Sequence, residues 1–148
     1  GLGEVGEGRG LQAVVDDARL ADLVRLERWT GTTTGVWLVV DTRMATTENP
    51  SLAHATVRVG ERHWKASNRP GLGAMHATTL EPGLPQAGAF VFELPREVLE
   101  EPGATRAVVR LADSGDTRLI TVIEVGLDLT ALDHVGELEL ERTERTRW

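Results

Sequence analysis

Cysteine is absent from this chain, as is tyrosine, and phenylalanine occurs only twice. Without cysteine there is no disulfide framework and no thiol chemistry. The compartment is left open by this, since many exported bacterial domains carry no cysteine. No apolar run approaches the roughly 18–20 residues of a membrane-spanning helix, and no charged-then-apolar leader opens the sequence. On these grounds the chain is either cytosolic or preceded by a leader that lies outside this stretch. Positive charge is also scarce: 16 Lys and Arg stand against 23 Asp and Glu, a formal charge of -7. Such a balance repels phosphate backbones unless the arginines gather on one face. Along the sequence they do not gather, because only Arg142, Arg145 and Arg147 cluster and Glu141 and Glu144 dilute them. No nucleic-acid partner is expected.

What is present is a globular balance, with 41% hydrophobic and 26% charged residues over 148 positions. One domain of that length buries roughly 68–70% of the surface its unfolded chain exposes, enough for a core without metal or disulfide staples. With so few aromatics the core rests on Val, Leu, Ile and Ala, and each of the four Trp matters individually.

Five of the first ten residues are glycine, so residues 1–10 read as a flexible tether. They contain G-L-G-E-V-G, a literal dinucleotide fingerprint, but that motif works only between a strand and a helix, and nothing precedes Gly1 here. Leu11–Leu26 is ambiguous between helical and strand spacing, and two short strands broken at Asp16-Asp17 fit the β-rich remainder better. Thr30–Gly35 reads as a Thr/Gly loop. In the strand that follows, Val36, Leu38, Val40, Thr42 and Met44 face one way, and Trp37, Val39, Asp41 and Arg43 the other. Its first half is apolar on both faces and is expected to be central, and Thr46–Pro50 ends it.

Ala53–Ala66 predicts a hairpin in which Gly60-Glu61 turn, Val59 faces Arg62, Arg58 faces His63 and Val57 faces Trp64. Ala74–Leu80 reads as a short polar strand. Pro82-Gly83 suits a type II turn, with glycine at the positive φ. Ala89–Leu94 then places Phe90, Phe92 and Leu94 on one face. One helical turn is expected near residues 96–101. Thr105–Leu111 and Arg118–Leu127 flank the turn sequence Asp113-Ser114-Gly115-Asp116, and the second, β-branched on both faces, reads as central. A weak edge strand and a charged tail occupy residues 133–148. Seven to nine strands between turn signals give an all-β, two-sheet antiparallel sandwich over residues 11–132.

Several segments together, W-L-V-V-D (Trp37–Asp41), V-x-V-G-x-x-x-W (Val57–Trp64), L-E-P-G (Leu80–Gly83) and G-A-F-V-F-E-L-P (Gly88–Pro95), resemble a family of bacterial extracytoplasmic domains of unknown function. The resemblance spans about Val36 to Leu127. It implies an immunoglobulin-like β-sandwich, often carried behind a lipoprotein or membrane-anchor leader and similar in fold to a small secreted mycobacterial antigen. Thr42-Arg43-Met44 stands where that family has an Asn-rich strand end. The family has no assigned catalytic residues, so none carries over.

Candidate chemistry is thin. His54, His63, His76 and His134 invite a metal site. In the hairpin register above, however, His54 and His63 lie roughly 13 Å apart at about 3.3 Å per residue, too far for one ion. Asp113 and Asp116 offer oxygens for weak ion binding, but a D-S-G-D turn more commonly caps its own backbone. No G-x-S-x-G or H-E-x-x-H occurs. Adjacent carboxylates at Asp16-Asp17 and Glu100-Glu101 point to opposite faces of a strand, which does not suit shared-proton chemistry. No cofactor and no catalysis are expected. Trp64, Phe90 and Phe92 are assigned to the core. Trp29 and Trp37 have two readings: contacts for a protein or envelope partner if exposed, or covers for an open end of the sandwich. The expected role is a non-catalytic extracytoplasmic interaction module of the bacterial envelope. A structural spacer or assembly domain of an anchored envelope protein is the alternative.

Overall fold

The computed structural model describes residues 2–8, 10–113 and 122–148 and shows an all-β, two-sheet sandwich whose pairings are antiparallel with one exception. Eleven strands are present among the described residues, more than the seven to nine expected. No α-helix occurs among them, only short 3-10 turns, one of which, Arg96–Glu100, matches the expected helical turn.

The first sheet is ordered β1 (Val5–Gly8), β2 (Leu11–Leu26), β3 (Trp29–Thr46), β7 (Gln86–Leu94), β11 (Glu144–Arg145), with β10 (His134–Glu139) beside β2. The second is ordered β5 (Arg62–Lys65), β4 (Ser51–Val59), β8 (Ala107–Asp113), β9 (Val122–Leu127), with β6 (Thr79–Leu80) beside the start of β4.

Alternation decides which residues meet between the layers. On β4, Ala53, Ala55, Val57 and Val59 are buried while Leu52 and His54 face water. They pack with Val109 and Leu111 of β8 against Leu38, Val40, Phe90 and Phe92 of the first sheet. Phe90 and Phe92 are almost fully buried, as their strand pattern predicts. The β4–β5 register is also as predicted, with Val59 opposite Arg62 and Val57 opposite Trp64. Gly60 takes φ 60° in the turn and Gly83 φ 69° after Pro82, both conformations that favour glycine. Trp64, at the sandwich margin, is half-buried against the core and not inside it.

Five expectations are corrected. Leu11–Leu26 is one strand and not two. Asp16 is an extra residue between Val15 (opposite Thr42) and Asp17 (opposite Asp41), and a bulge absorbs it without ending the ladder. Thr30–Gly35 belongs to β3 and not to a loop. Its register breaks between Ala21, opposite Trp37, and Leu23, opposite Thr32, so Thr33, Thr34, Gly35 and Val36 face Asp22 alone. Ala74–Leu80 is a 3-10 turn, Met75–Ala77, followed by a two-residue strand. Val122–Leu127 pairs only with β8 among the described residues and alternates exposed with buried, which makes it an edge strand and not a central one. Residues 114–118, with Asp116, lie outside the described residues, as do residues 119–121. Finally, part of the expected tether is β1, where Val5 opposes Val14.

The C-terminal segment forms a strap over the outer face of the first sheet. β10 runs parallel to β2 from His134, opposite Leu20, to Glu139, opposite Arg25. The Leu140 N–H then donates to the Arg25 carbonyl (2.6 Å) and the Thr143 N–H to the Gly73 carbonyl (2.8 Å). β11 pairs with the free edge of β7, and Arg43 donates to the carbonyls of Arg147 and Trp148. Under this strap and the 66–74 segment lies a second apolar cluster that includes Ala21, Val24, Trp37, Val39, Val91 and Leu140. The charged tail is therefore built into the first sheet.

Candidate functional site

Where four residues of β3 face one of β2, the backbone bulges outward and opens a groove of about 370 Å³ between β3, β5 and the end of β7. Thr33, Thr34, Trp64, Glu93, Arg96 and Glu97 line it. Gly35 makes the bulge possible. A β-carbon there would sit 2.0 Å from the Leu94 carbonyl oxygen, so β3 touches the backbone of β7 at this point.

The groove floor is held by one clamp. Arg69 Nη1 donates to Glu93 Oε1 (2.7 Å) and to the Thr32 carbonyl (2.8 Å). Thr33 Oγ1 donates to Glu93 Oε2 (3.1 Å) while accepting from the Gly35 N–H (3.1 Å). Both Glu93 oxygens are therefore engaged. Thr34 and Glu97 are different: among the described residues neither side chain has a hydrogen-bond partner. At the rim the Arg62 guanidinium lies 4.9 Å from the Trp64 ring centroid, a cation–π distance, and also pairs with Glu101 (2.9 Å).

Beside the clamp the two tryptophans singled out from sequence meet edge to face, with centroids 5.9 Å apart and planes at 82°. Trp37 is fully buried, and its indole N–H donates to the Gly31 carbonyl (3.1 Å). It cannot touch a partner, because the segments crossing the outer face enclose it, and this corrects one of the two contact residues expected. Trp29 is half-buried, with Arg69 5.9 Å from its ring. Sequence reasoning missed Glu93, Arg69 and Thr33. The Thr/Gly run marks Thr33 alone, and Arg69 and Glu93 lie in separate segments with no spacing that links them.

Asp22, the single residue opposite the bulge, joins three segments. Its Oδ1 accepts from His134 Nε2 (2.8 Å) on β10 and from Arg96 Nη2 (3.0 Å) after β7. The hydrogen bond from His134 chiefly, and then that from Arg96, holds the Asp22 carboxyl below its ordinary value of 3.8. A depressed folded pKa adds stability above the unfolded value, and that stability is lost as pH falls through the folded value. Asp22→Asn is therefore expected to cost about 0.2–1 kcal/mol near pH 6, the range of exposed pairs, and progressively less as pH falls below 3.8 through the folded value. Urea unfolding of both proteins across that interval measures it.

A second cavity of about 320 Å³ lies beneath the strap, bounded by Asp16, Arg19, Asp41, Glu139, Glu141 and Glu144. Arg19 Nη2 donates to Asp41 (2.6 Å), and Arg43 forms a two-point pair with Asp16 (2.8 Å each). Burial pushes the Asp41 carboxyl up despite Arg19, so its ionisation costs stability, a penalty opposite in sign to the Asp22 contribution that sets in as pH rises above 3.8.

The histidines stand apart. His54 and His63 face outward from the second sheet, opposite Ala112 and Arg58, while His134 is bonded to Asp22. Burial lowers the pKa of His76. Among the described residues no three His, Asp or Glu side chains are grouped as a metal site needs, and no helix is long and apolar enough to cross a membrane.

No protein-family model matches this chain, and no curated protein does. Two solved structures are similar. An uncharacterized β-sandwich protein from Clostridium difficile 630 has a TM-score of 0.52 at 11% identity, over 84% of this chain and 91% of that one. A protein from Staphylococcus aureus provisionally described as a lipoprotein has a TM-score of 0.47 at 7% identity, over 91% of this chain and 94% of that one. The first likeness supports the β-sandwich architecture derived above.

Proposed function

We propose that this β-sandwich is a non-catalytic interaction module, displayed outside the bacterial cytoplasm, that engages a protein or envelope component through the groove at the β3 bulge. The observation that carries this reading is the division of labour in that groove. Glu93, Arg69 and Arg96 are tied up in pairing, while Thr34 and Glu97 offer unengaged hydrogen-bonding groups on the rim beside Trp64, with no unpaired acid–base partner beside Glu97 among the described lining residues. Rigid strands presenting a few unengaged polar groups next to an aromatic ring suit recognition.

Extracytoplasmic display and an immunoglobulin-like family rest on the resemblance of Trp37–Asp41, Val57–Trp64 and Gly88–Pro95 to domains of that kind. The spacer reading draws on a different observation, the scatter of the exposed large apolar residues, such as Leu2, Leu52, Leu72 and Leu84, over separate segments.

Titration of isotope-labelled protein with soluble peptidoglycan fragments, followed by NMR, tests the groove. Amide signals of Thr33–Gly35 and the Trp64 indole N–H are expected to move. Thr34→Val combined with Glu97→Gln is expected to weaken the interaction about tenfold or more, the effect of losing one or two hydrogen bonds. Displacements confined to other faces, with the double variant binding normally, would remove the groove from the function.

A further inference from the structure

The outer face of the second sheet carries charge of the opposite sign to the chain as a whole. Strand register lines up its outward residues in rows. Thr56 lies between Lys65 on β5 and Arg110 on β8, with Glu124 beyond, and Arg58 lies between His63 and Val108. Among the outward residues of β4, β5, β8 and β9, Glu124 is the one carboxylate, against Arg58, Lys65, Arg110, His54 and His63. On a chain of formal charge -7 this is a segregated basic face, and the arginines that stand singly in the sequence are gathered by the fold.

Its groups are available. Lys65 has no ion pair among the described residues, and Arg58 donates only to the nearby Gly60 carbonyl (3.2 Å). Arg110 reaches Glu124 only at 3.9 Å, and its Nε is buried without a hydrogen-bond partner. The Thr56 hydroxyl, between Lys65 and Arg110, likewise has no partner among the described residues.

We propose that this face binds a linear, base-free polymer of phosphate groups, with Lys65, Arg58 and Arg110 each meeting a phosphate and the Thr56 hydroxyl donating between them. Strand spacing of about 4.8 Å and a rise of about 3.4 Å per residue put Lys65 and Arg110 about 10 Å apart, and Arg58 about 8 Å from each. Three cations so spaced on an open surface suit successive charges along a chain better than one isolated ion. Arginine offers phosphate a two-point fork. Nucleic acid fits less well, because the outward residues include no Phe, Tyr or Trp to serve as a platform for successive bases. This surface lies on the opposite sheet from the β3 bulge and stands independently of the groove reading.

Inorganic polyphosphate is the probe, with binding followed calorimetrically from 50 to 200 mM salt. Three contacts predict a log–log salt slope of about -2, an affinity loss of roughly eighteen-fold over that range. Lys65→Gln, Arg58→Gln and Arg110→Gln are each expected to reduce the slope by about 0.7 with the circular dichroism unchanged, while Thr34→Val with Glu97→Gln leaves it as it was. A slope near zero, or a slope indifferent to the three substitutions, overturns the proposal. So does equal or tighter binding to polyglutamate, to a single-stranded oligonucleotide or to anionic lipid vesicles.

Discussion

Trp37→Ala will lower the free energy of unfolding by about 3–5 kcal/mol, the cost of emptying a large aromatic site in a packed interior. The ring is fully buried in the outer cluster, so the cavity cannot fill with water without wetting Val39 and Val91. Three further losses accompany the missing volume. The Gly31 carbonyl loses its indole donor, Arg69 loses the ring 5.2 Å from its guanidinium, and Trp29 loses the face it abuts. Trp37→Phe separates these effects, since it keeps most of the apolar volume and removes the N–H. About 1–3 kcal/mol is expected for that change, the cost of an orphaned buried acceptor together with a smaller ring. Equilibrium urea unfolding of the two variants is the measurement. A loss under about 1 kcal/mol for the alanine variant would mean that the outer cluster is loosely packed and that the strap contributes little cover.

Gly35→Ala is the second large effect, expected at about 1–3 kcal/mol or somewhat more. The obstruction is backbone: the added carbon would lie 2.0 Å from the Leu94 oxygen, 2.9 Å from the Leu94 carbonyl carbon and 3.3 Å from Pro95 Cα. No side chain can rotate out of the way, so β3 must part from β7 where Val36 opposes Leu94. Amide hydrogen exchange at Val36 and Leu94 is expected to rise along with the loss of stability, and the groove should change shape in step. Gly31→Ala makes a useful contrast, because its added carbon meets the far edge of the Trp29 ring (2.3 Å), which can shift. A Gly35→Ala protein as stable as the parent would show that this bulge is plastic.

What the sequence made readable was local and periodic. The β4–β5 register follows from Gly60-Glu61 and the alternation of Ala55, Val57 and Trp64, and the structure reproduces it pair for pair. Phe90 and Phe92 on one face of β7 follow from period-two spacing in the same way. The differences between expectation and structure have a shared cause: a break in the apolar pattern marks a bulge within a strand as readily as the end of one. Asp16-Asp17 and the Thr/Gly run are both accommodated as bulges inside long strands, because the flanking apolar pairs, such as Ala13 with Met44 and Ala18 with Val40, hold the ladder on either side. β-Branched residues on both faces of β9 did not require burial on both, and Val122 stays exposed at the edge. The burial of Trp37 was beyond local pattern altogether, since part of its cover comes from Leu140, more than a hundred positions away. The groove shared that difficulty. Arg69, Thr33 and Glu93 come from three separate segments and leave no spacing to detect.

The parallel pairing of β10 with β2 joins segments more than a hundred residues apart, and the strap lies C-terminal to everything it covers. As the polypeptide leaves the ribosome, both sheets have all their other strands before His134 emerges. Until Leu140 docks, the Ala21, Val24 and Val91 surface is open to water, and the β2 and β7 edges can template pairing with other chains. Long-range pairing of this kind is also slow. The maturing protein therefore passes through an interval in which a nearly complete sandwich is still sticky, and association between nascent copies is most dangerous then.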